Sequence, residues 1–231
     1  MNTEVREILK NIKYVCWDQD RSLTQDTGMI VIKSMFEAFQ RLVHGTSKTG
    51  FTARLAVAVF LNRNSPDFQF DILRTMRKLY LIDKTVSTRD FVELVTEVAT
   101  PKLQQIQFNP YSDKVLQQFD EMGMKQALVT SAPQQVVDIL FHSNKKLSIL
   151  PQIFGCNVVS NADKRSRNPS GYRQIIEHWG APPQNTLVIG DGKEDVYAAR
   201  AAGVEKIIIY GNGKSRIKNA VSINSFDKLL M

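Results

Sequence analysis

IKYVCWDQDRSL, residues 12–23, is a short apolar run that stops abruptly on two aspartates. Runs of Val, Ile, Leu or Trp at this length fill strands that are buried on both faces. Two further segments repeat the design: KQALV (125–129) leads into Thr130, and TLVI (186–189) leads into Gly190 and Asp191. Helical patterns follow. PQQVVDILFHSNKK (133–146) opens on a proline suited to a first turn, and EDVYAARAAG (194–203) closes on a helix-stopping glycine. KIIIYG (206–211) and VVS (158–160) read as further strands. Strand–helix alternation of this kind predicts an α/β fold with a doubly wound parallel sheet.

Between Thr24 and Leu103 the alternation lapses and only helices are expected, over 27–44, 52–62, 67–82 and 88–99. Apolar residues recur there at helical spacing, as in Phe36, Phe39 and Leu42. Aromatic stripes of this kind are read as helix-packing core. The expected organisation is an α/β core of residues 1–23 and 106–231, interrupted by an all-helical insert of residues 24–105. SDKVLQQFDEMG (112–123) is then the first crossover helix of the resumed core, and the tail ends in a short strand with a half-turn.

Apolar residues make up 43% of the 231 and charged ones 23%, which excludes a disordered or fibrous chain. The opening MNTEVREILKNIK mixes charges without an apolar stretch, and LAVAVFL (55–61) is too short to span a bilayer. Neither a signal peptide nor a membrane partner is expected. Cys16 and Cys156 form no metal-binding pattern, so a reducing cytoplasm is the default compartment. The net charge of +7 fits either nucleic-acid contact or attraction of small anions to a cleft. The basic residues lack interleaved aromatics, so no nucleic-acid partner is expected. His44, His142 and His178 lie in helical patterns and read as surface or packing residues.

In an open parallel sheet, ligands bind beyond the carboxyl ends of the strands, where the order of connections reverses. That rule aims Asp18, Asp20, Thr130, Asp191 and Asp195 at one cleft. Asp18 and Asp20 point the same way along an extended segment. Such a pair can divide labour, one attacking while the other carries a proton; an acidic turn is the plainer alternative. In GDGKED (190–195) the glycines free the backbone to turn sharply, and Asp191 and Asp195 offer hard oxygens that suit Mg²⁺. Stabilisation of a helix N-terminus is the alternative there. Thr130 and Ser131 can bind phosphate oxygens with hydroxyl and backbone N–H groups, or merely cap a helix. Several carboxylates in one cleft repel unless a cation joins them, so the joint pattern implies a divalent ion.

WDQDRSL, ALVTS and TLVIGDGKEDVYAARAAG together resemble three motifs of the haloacid dehalogenase-like hydrolase superfamily, in the subgroup with a helical cap after the first strand. The resemblance covers 10–23 and 108–225, while the insert matches no family pattern. It implies a Rossmann-like core, a Mg²⁺ cofactor and hydrolysis of a small phosphorylated substrate. Carried onto this chain, Asp18 is the nucleophile that forms an aspartyl-phosphate and Asp20 the acid/base, its main-chain carbonyl also ligating Mg²⁺. Thr130 binds the phosphoryl group, Asp191 ligates the metal, and Asp195 completes or supports that shell.

Two departures from the family pattern stand out. The third motif normally supplies a lysine, but counting back from Tyr172 in KRSRNPSGY puts Ser166 at its position. Lys164 serves if the loop is two residues longer, and Arg167 is the second choice, both as phosphate-binding cations beside the nucleophile. Arg21 and Ser22 stand where Gly and Thr are usual; Arg21 forfeits glycine's freedom but offers a guanidinium to substrate. A phosphomutase of the same superfamily, or a catalytically weak binding protein, is the rival reading. Substrate identity and oligomeric state are not encoded in these motifs.

Overall fold

A computed structural model describes residues 3–42, 74–75, 87–166, 168–211 and 220–231. The helices expected at 52–62 and 67–82 therefore fall outside the described residues, apart from 74–75, as do His44 and Arg167. Packing divides the chain into two compact units, Met1–Thr27 with Leu103–Met231, and Gly28–Lys102.

Among the described residues, the first unit holds six strands in one parallel sheet. They are β1 (Tyr14–Trp17), β2 (Lys125–Val129), β3 (Val158–Val159), β4 (Thr186–Gly190), β5 (Lys206–Tyr210) and β6 (Val221–Ile223). Their order is β3-β2-β1-β4-β5-β6. The chain runs outward from β1 through β2 to β3, then crosses back to β4, so the switch point lies between β1 and β4. Val15, Cys16 and Trp17 are fully buried, as are Leu187, Val188 and Ile189, which is what apolar runs flanked by helices on both faces produce.

Helices cover the sheet. α1 (Thr3–Leu9) precedes β1; the motifs did not announce it, since it is short and outside the alternation. α2 (Thr27–Leu42) and α3 (Thr88–Leu103) belong largely to the second unit, and α4 (Ser112–Glu121) is the crossover into β2. α5 (Gln134–His142) and α6 (Leu150–Phe154) join β2 to β3, α7 (Gly171–Trp179) leads to β4, and α8 (Lys193–Ala201) leads to β5. Tyr172, Ile175 and Ile176 of α7 pack with Val196, Ala198 and Ala199 of α8 against Cys16 and Val188. The small alanines let α8 approach the sheet closely. The tail forms β6 and one 3-10 turn, Phe226–Leu229, whose Phe226 lies 5.9 Å from Trp17 between ring centroids.

In the second unit, Phe39 of α2 stacks on Phe91 of α3 at 4.4 Å, so this aromatic stripe is packing. α3 runs four residues beyond the expected end at Ala99 and carries Pro101 within its last turn, where the missing N–H forfeits one hydrogen bond. None of the described helices is long and apolar enough to cross a membrane.

Candidate active site

β1 ends at Trp17 and its backbone continues in register, with the Asp18 N–H donating to the Ile189 carbonyl at 2.7 Å. Asp18 therefore lies level with Gly190, the last residue of β4, and Asp191 follows directly. This is the switch point. Carboxylate oxygens of Asp18, Asp191 and Asp195 lie within 4.8 Å of one another.

Gly190 makes the convergence possible. A Cβ there would fall 2.4 Å from Cγ of Asp195, so only glycine lets that side chain fold back over the strand end. Asp195 Oδ2 accepts from the N–H groups of Asp191 (3.1 Å) and Gly192 (3.3 Å), satisfying donors at the start of α8. Its Oδ1 accepts from Lys164 Nζ at 2.9 Å and from the Tyr172 hydroxyl at 2.7 Å. The helix-stabilising alternative for Asp195 is thus realised together with a contact to the site.

Lys164 also donates to Asp18 Oδ1, and its side chain is only 4% exposed. The motif count from Tyr172 falls on Ser166, but the structure places Lys164, the candidate that a loop longer by two residues supplies, against Asp18. Asp163 accepts from the N–H groups of Arg165 (3.2 Å) and Ser166 (3.0 Å) and from the Ser166 hydroxyl, so residues 163–166 form a tight turn. That turn uses up two residues, faces Ser166 outward and sends Lys164 inward. Burial disfavours charge on Asp163, yet these hydrogen bonds hold its carboxyl below the usual range.

Asp20 lies outside the three-carboxylate cluster. Its Oδ1 accepts from the Thr27 N–H at 3.0 Å and from the Thr27 hydroxyl, which fixes the side chain at the first residue of α2. Gln19 Nε2 donates to the same hydroxyl at 3.0 Å. No signal short of the fold identified Thr27, because its role comes from the tight turn that brings it back over the loop. The Leu23 N–H donates to the Asp18 carbonyl and the Thr24 N–H to the Gln19 carbonyl. The returning segment then pins that turn, with Asn109 Nδ2 donating to the carbonyls of Ser22 (2.6 Å) and Thr24 (3.0 Å) and the Ser112 hydroxyl donating to that of Leu23.

Thr130 follows β2 beside this loop, and its hydroxyl oxygen accepts from the Ala132 N–H at 3.0 Å. Ser131's hydroxyl is turned to the Ala162 carbonyl at 3.1 Å, tying the β2 loop to the segment after β3. Arg21 adopts φ 58°, and its Nη2 stands 3.0 Å from Asp191 Oδ2.

The charges interact strongly. Burial opposes the Lys164 ammonium, but Asp18 and Asp195 more than compensate and raise its pKa above the ordinary value. Asp195 is held below the carboxylate range, since Lys164 and the Tyr172 hydroxyl outweigh burial. Burial drives Asp18 well above that range despite Lys164, and drives Asp191 up despite Arg21. Burial also lifts Asp20 to about 6, against the hydrogen bond from Thr27.

These residues fit a hard divalent cation. The three carboxylates of the cluster face two basic side chains, Lys164 and Arg21, which leaves one negative charge when all are ionised. Buried carboxyls whose ionisation is costly, presenting oxygens only, form the donor set that such a cation stabilises.

A family model of haloacid dehalogenase-like hydrolases matches residues 9–203. A phosphoglycolate phosphatase of Pseudomonas putida is 29% identical over 103 residues, 44% of this chain and 37% of that protein. Another, of Aliivibrio fischeri, is 27% identical over 97 residues, 42% of this chain and 41% of the relative. The matched stretches thus span well under half of these relatives. Among solved structures, CbbY from Rhodobacter sphaeroides, in complex with phosphate, superposes with a TM-score of 0.68 at 18% identity, over 94% of this chain and 96% of that one. A putative beta-phosphoglucomutase from Thermotoga maritima gives 0.64 at 20%, over 95% and 97%. At these identities the likeness is one of fold.

Proposed function

The chain belongs to the haloacid dehalogenase-like hydrolase family, and on that premise we propose that it hydrolyses a small phosphomonoester, with Mg²⁺, through a phosphorylated Asp18. The observation that carries this reading is the meeting of Asp18, Asp191 and Asp195 with the Lys164 ammonium at the ends of β1 and β4. Neither a helix cap nor an acidic turn accounts for a buried lysine bonded to two of the carboxylates.

In the first step a carboxylate oxygen of Asp18 attacks phosphorus, the ester P–O bond breaks, and Asp20 gives its proton to the departing alcohol. In the second, ionised Asp20 takes a proton from water and the water oxygen attacks phosphorus. The bond to Asp18 then breaks and inorganic phosphate leaves. Thr27 keeps Asp20 aimed through both steps. Lys164 orients Asp18 and offsets charge on the transferring group, and the Thr130 hydroxyl donates to a phosphoryl oxygen. Held by Asp18, the Asp20 carbonyl and Asp191, with Asp195 supporting that shell, Mg²⁺ supplies the charge neutralisation that lets an anionic nucleophile meet an anionic ester. In this reading substrate selection falls to the second unit, Gly28–Lys102.

The test is inorganic phosphate release from a panel of phosphomonoesters, phosphoglycolate among them, with Mg²⁺ and with EDTA. Asp18→Asn should abolish a Mg²⁺-dependent release seen in the parent while leaving the far-UV spectrum intact. Unchanged turnover in that variant, or no metal-dependent release from any ester, overturns the reading. Transfer of the phosphoryl group within a sugar phosphate, without release, marks a mutase instead.

A further inference from the structure

We infer that Arg21 is a resident counter-cation for Asp191, one that competes with the divalent ion and sets the affinity at which the site loads. The inference rests on the reading above, in which Asp18 and Asp191 hold that ion.

Arg21 occupies a backbone conformation that L side chains rarely adopt, φ 58°. It is kept there by its neighbours: Leu23 N–H and the Ser22 hydroxyl both donate to the Asp18 carbonyl, and Thr24 N–H donates to that of Gln19. The turn so fixed throws the guanidinium across to the loop after β4, where Nη2 meets Asp191 Oδ2 at 3.0 Å. Asp191 is the least buried carboxylate of the metal-binding cluster, and Arg21 is the cation beside it.

A planar, monovalent guanidinium cannot fill a centre lined by converging oxygens, but it neutralises one of them from outside. A divalent ion arriving at Asp191 meets that positive charge within a few ångström and must repel it or draw Asp191 away from it. The displaced group has somewhere to go. Asp26 Oδ2 lies 4.0 Å from Arg21 Nε, and the arginine side chain is 63% exposed and so unhindered by packing. Arg21 therefore stands between two carboxylates, with Asp191 favoured when the centre is empty and Asp26 when it is filled. Lys164 has no such freedom, being buried and bonded to Asp18 and Asp195.

The measurement is calorimetric binding of Mg²⁺ to EDTA-treated, desalted full-length protein, for the parent, Arg21→Gln, Arg21→Lys and Asp191→Asn. Loss of the exposed pair and of the repulsion should make Arg21→Gln bind Mg²⁺ about three- to tenfold tighter. Arg21→Lys, which keeps the charge, should stay close to the parent, and thermal unfolding of the metal-free proteins should show Arg21→Gln folded. Equal or weaker Mg²⁺ binding by Arg21→Gln overturns the inference. So does a raised KM at unchanged Mg²⁺ affinity, which would make Arg21 a substrate contact. If Asp191→Asn binds Mg²⁺ as the parent does, the metal-centre reading itself fails, and that outcome is distinguishable from failure at Arg21 alone.

Discussion

Lys164 Nζ stands 2.9 Å from Asp195 Oδ1 and donates also to Asp18, so one buried ammonium ties the end of β1 to the first turn of α8. Two carboxylates and an amine taken out of water together are stable only as a set, because each charge answers another. This set fixes both Asp18, the proposed nucleophile, and the residue that caps the 190–192 loop.

Replacing the amine should therefore cost stability as well as chemistry. Lys164→Met leaves Asp18 and Asp195 buried without their cation, and a loss of about 3–5 kcal/mol is expected from a broken buried pair. All three side chains are almost wholly buried, so solvent screening does not reduce the figure. Urea unfolding measures it. The double variant Lys164→Met with Asp18→Asn should recover part of the loss, since one orphaned charge is removed. A loss below 1 kcal/mol in the single variant would contradict this account.

Tyr172 extends the same network. Its hydroxyl donates to Asp195 Oδ1 at 2.7 Å, its ring packs beneath Lys164, and burial with the neighbouring anion drives its pKa well above the usual value. Tyr172→Phe keeps the ring and removes the donor, so the expected loss is about 1.5–3 kcal/mol, as for a hydrogen bond to a charged group. Tyr172→Leu should lose more, because the ring goes too. Equal stability of the Phe variant and the parent, by the same unfolding measurement, would show the hydroxyl to be idle.

How much of this was legible depended on periodicity. The strands around Asp18, Thr130 and Asp191 could be read because each is a buried apolar run ending on a polar residue, and that pattern carries the sheet and its switch point. The lysine was legible only as a pair of candidates, since the turn held by Asp163 takes up two residues that motif spacing does not count. Thr27, Asn109 and Ser112 were invisible, for their work is to close a turn whose two sides lie far apart in sequence. Arg21 drew notice as a departure from glycine, yet its partner just after β4 is set by a left-handed backbone that no spacing rule contains.

Asp20 and Asp18 should separate kinetically. With the proposed roles, Asp20→Asn removes the proton donor but leaves Asp18 and its lysine in place. With an aryl phosphate, whose leaving group needs little protonation, the first step should persist and the second should slow. A burst of phenolate followed by a turnover about 10²–10⁴ lower than the parent's is expected. Rapid-quench assay of acid-stable phosphorylated protein checks it. A variant that loses the burst and the steady rate equally would argue against separate roles.

The two cysteines report on the sheet itself. Cys16 lies within β1, fully buried, and Cys156 is exposed. A thiol reagent near neutral pH should label one thiol per native chain and both after unfolding. Burial raises the Cys16 pKa from 9.0 to about 12, with Lys164 pulling the other way. The folded thiol thus resists ionisation that the unfolded chain permits, so its contribution to stability is complete below pH 9 and drains away as pH rises toward 12. Over that window the slope for one proton approaches 1.36 kcal/mol per pH unit. Other groups titrate there as well, so the proper measure is the difference between parent and Cys16→Ala, whose cavity adds a constant offset. Between pH 9 and 11 the parent should lose stability relative to the alanine variant by about 1–2.5 kcal/mol. Parallel pH profiles for the two proteins would mean that Cys16 is not sealed in the sheet, and the packing of β1 between β2 and β4 would have to be drawn differently.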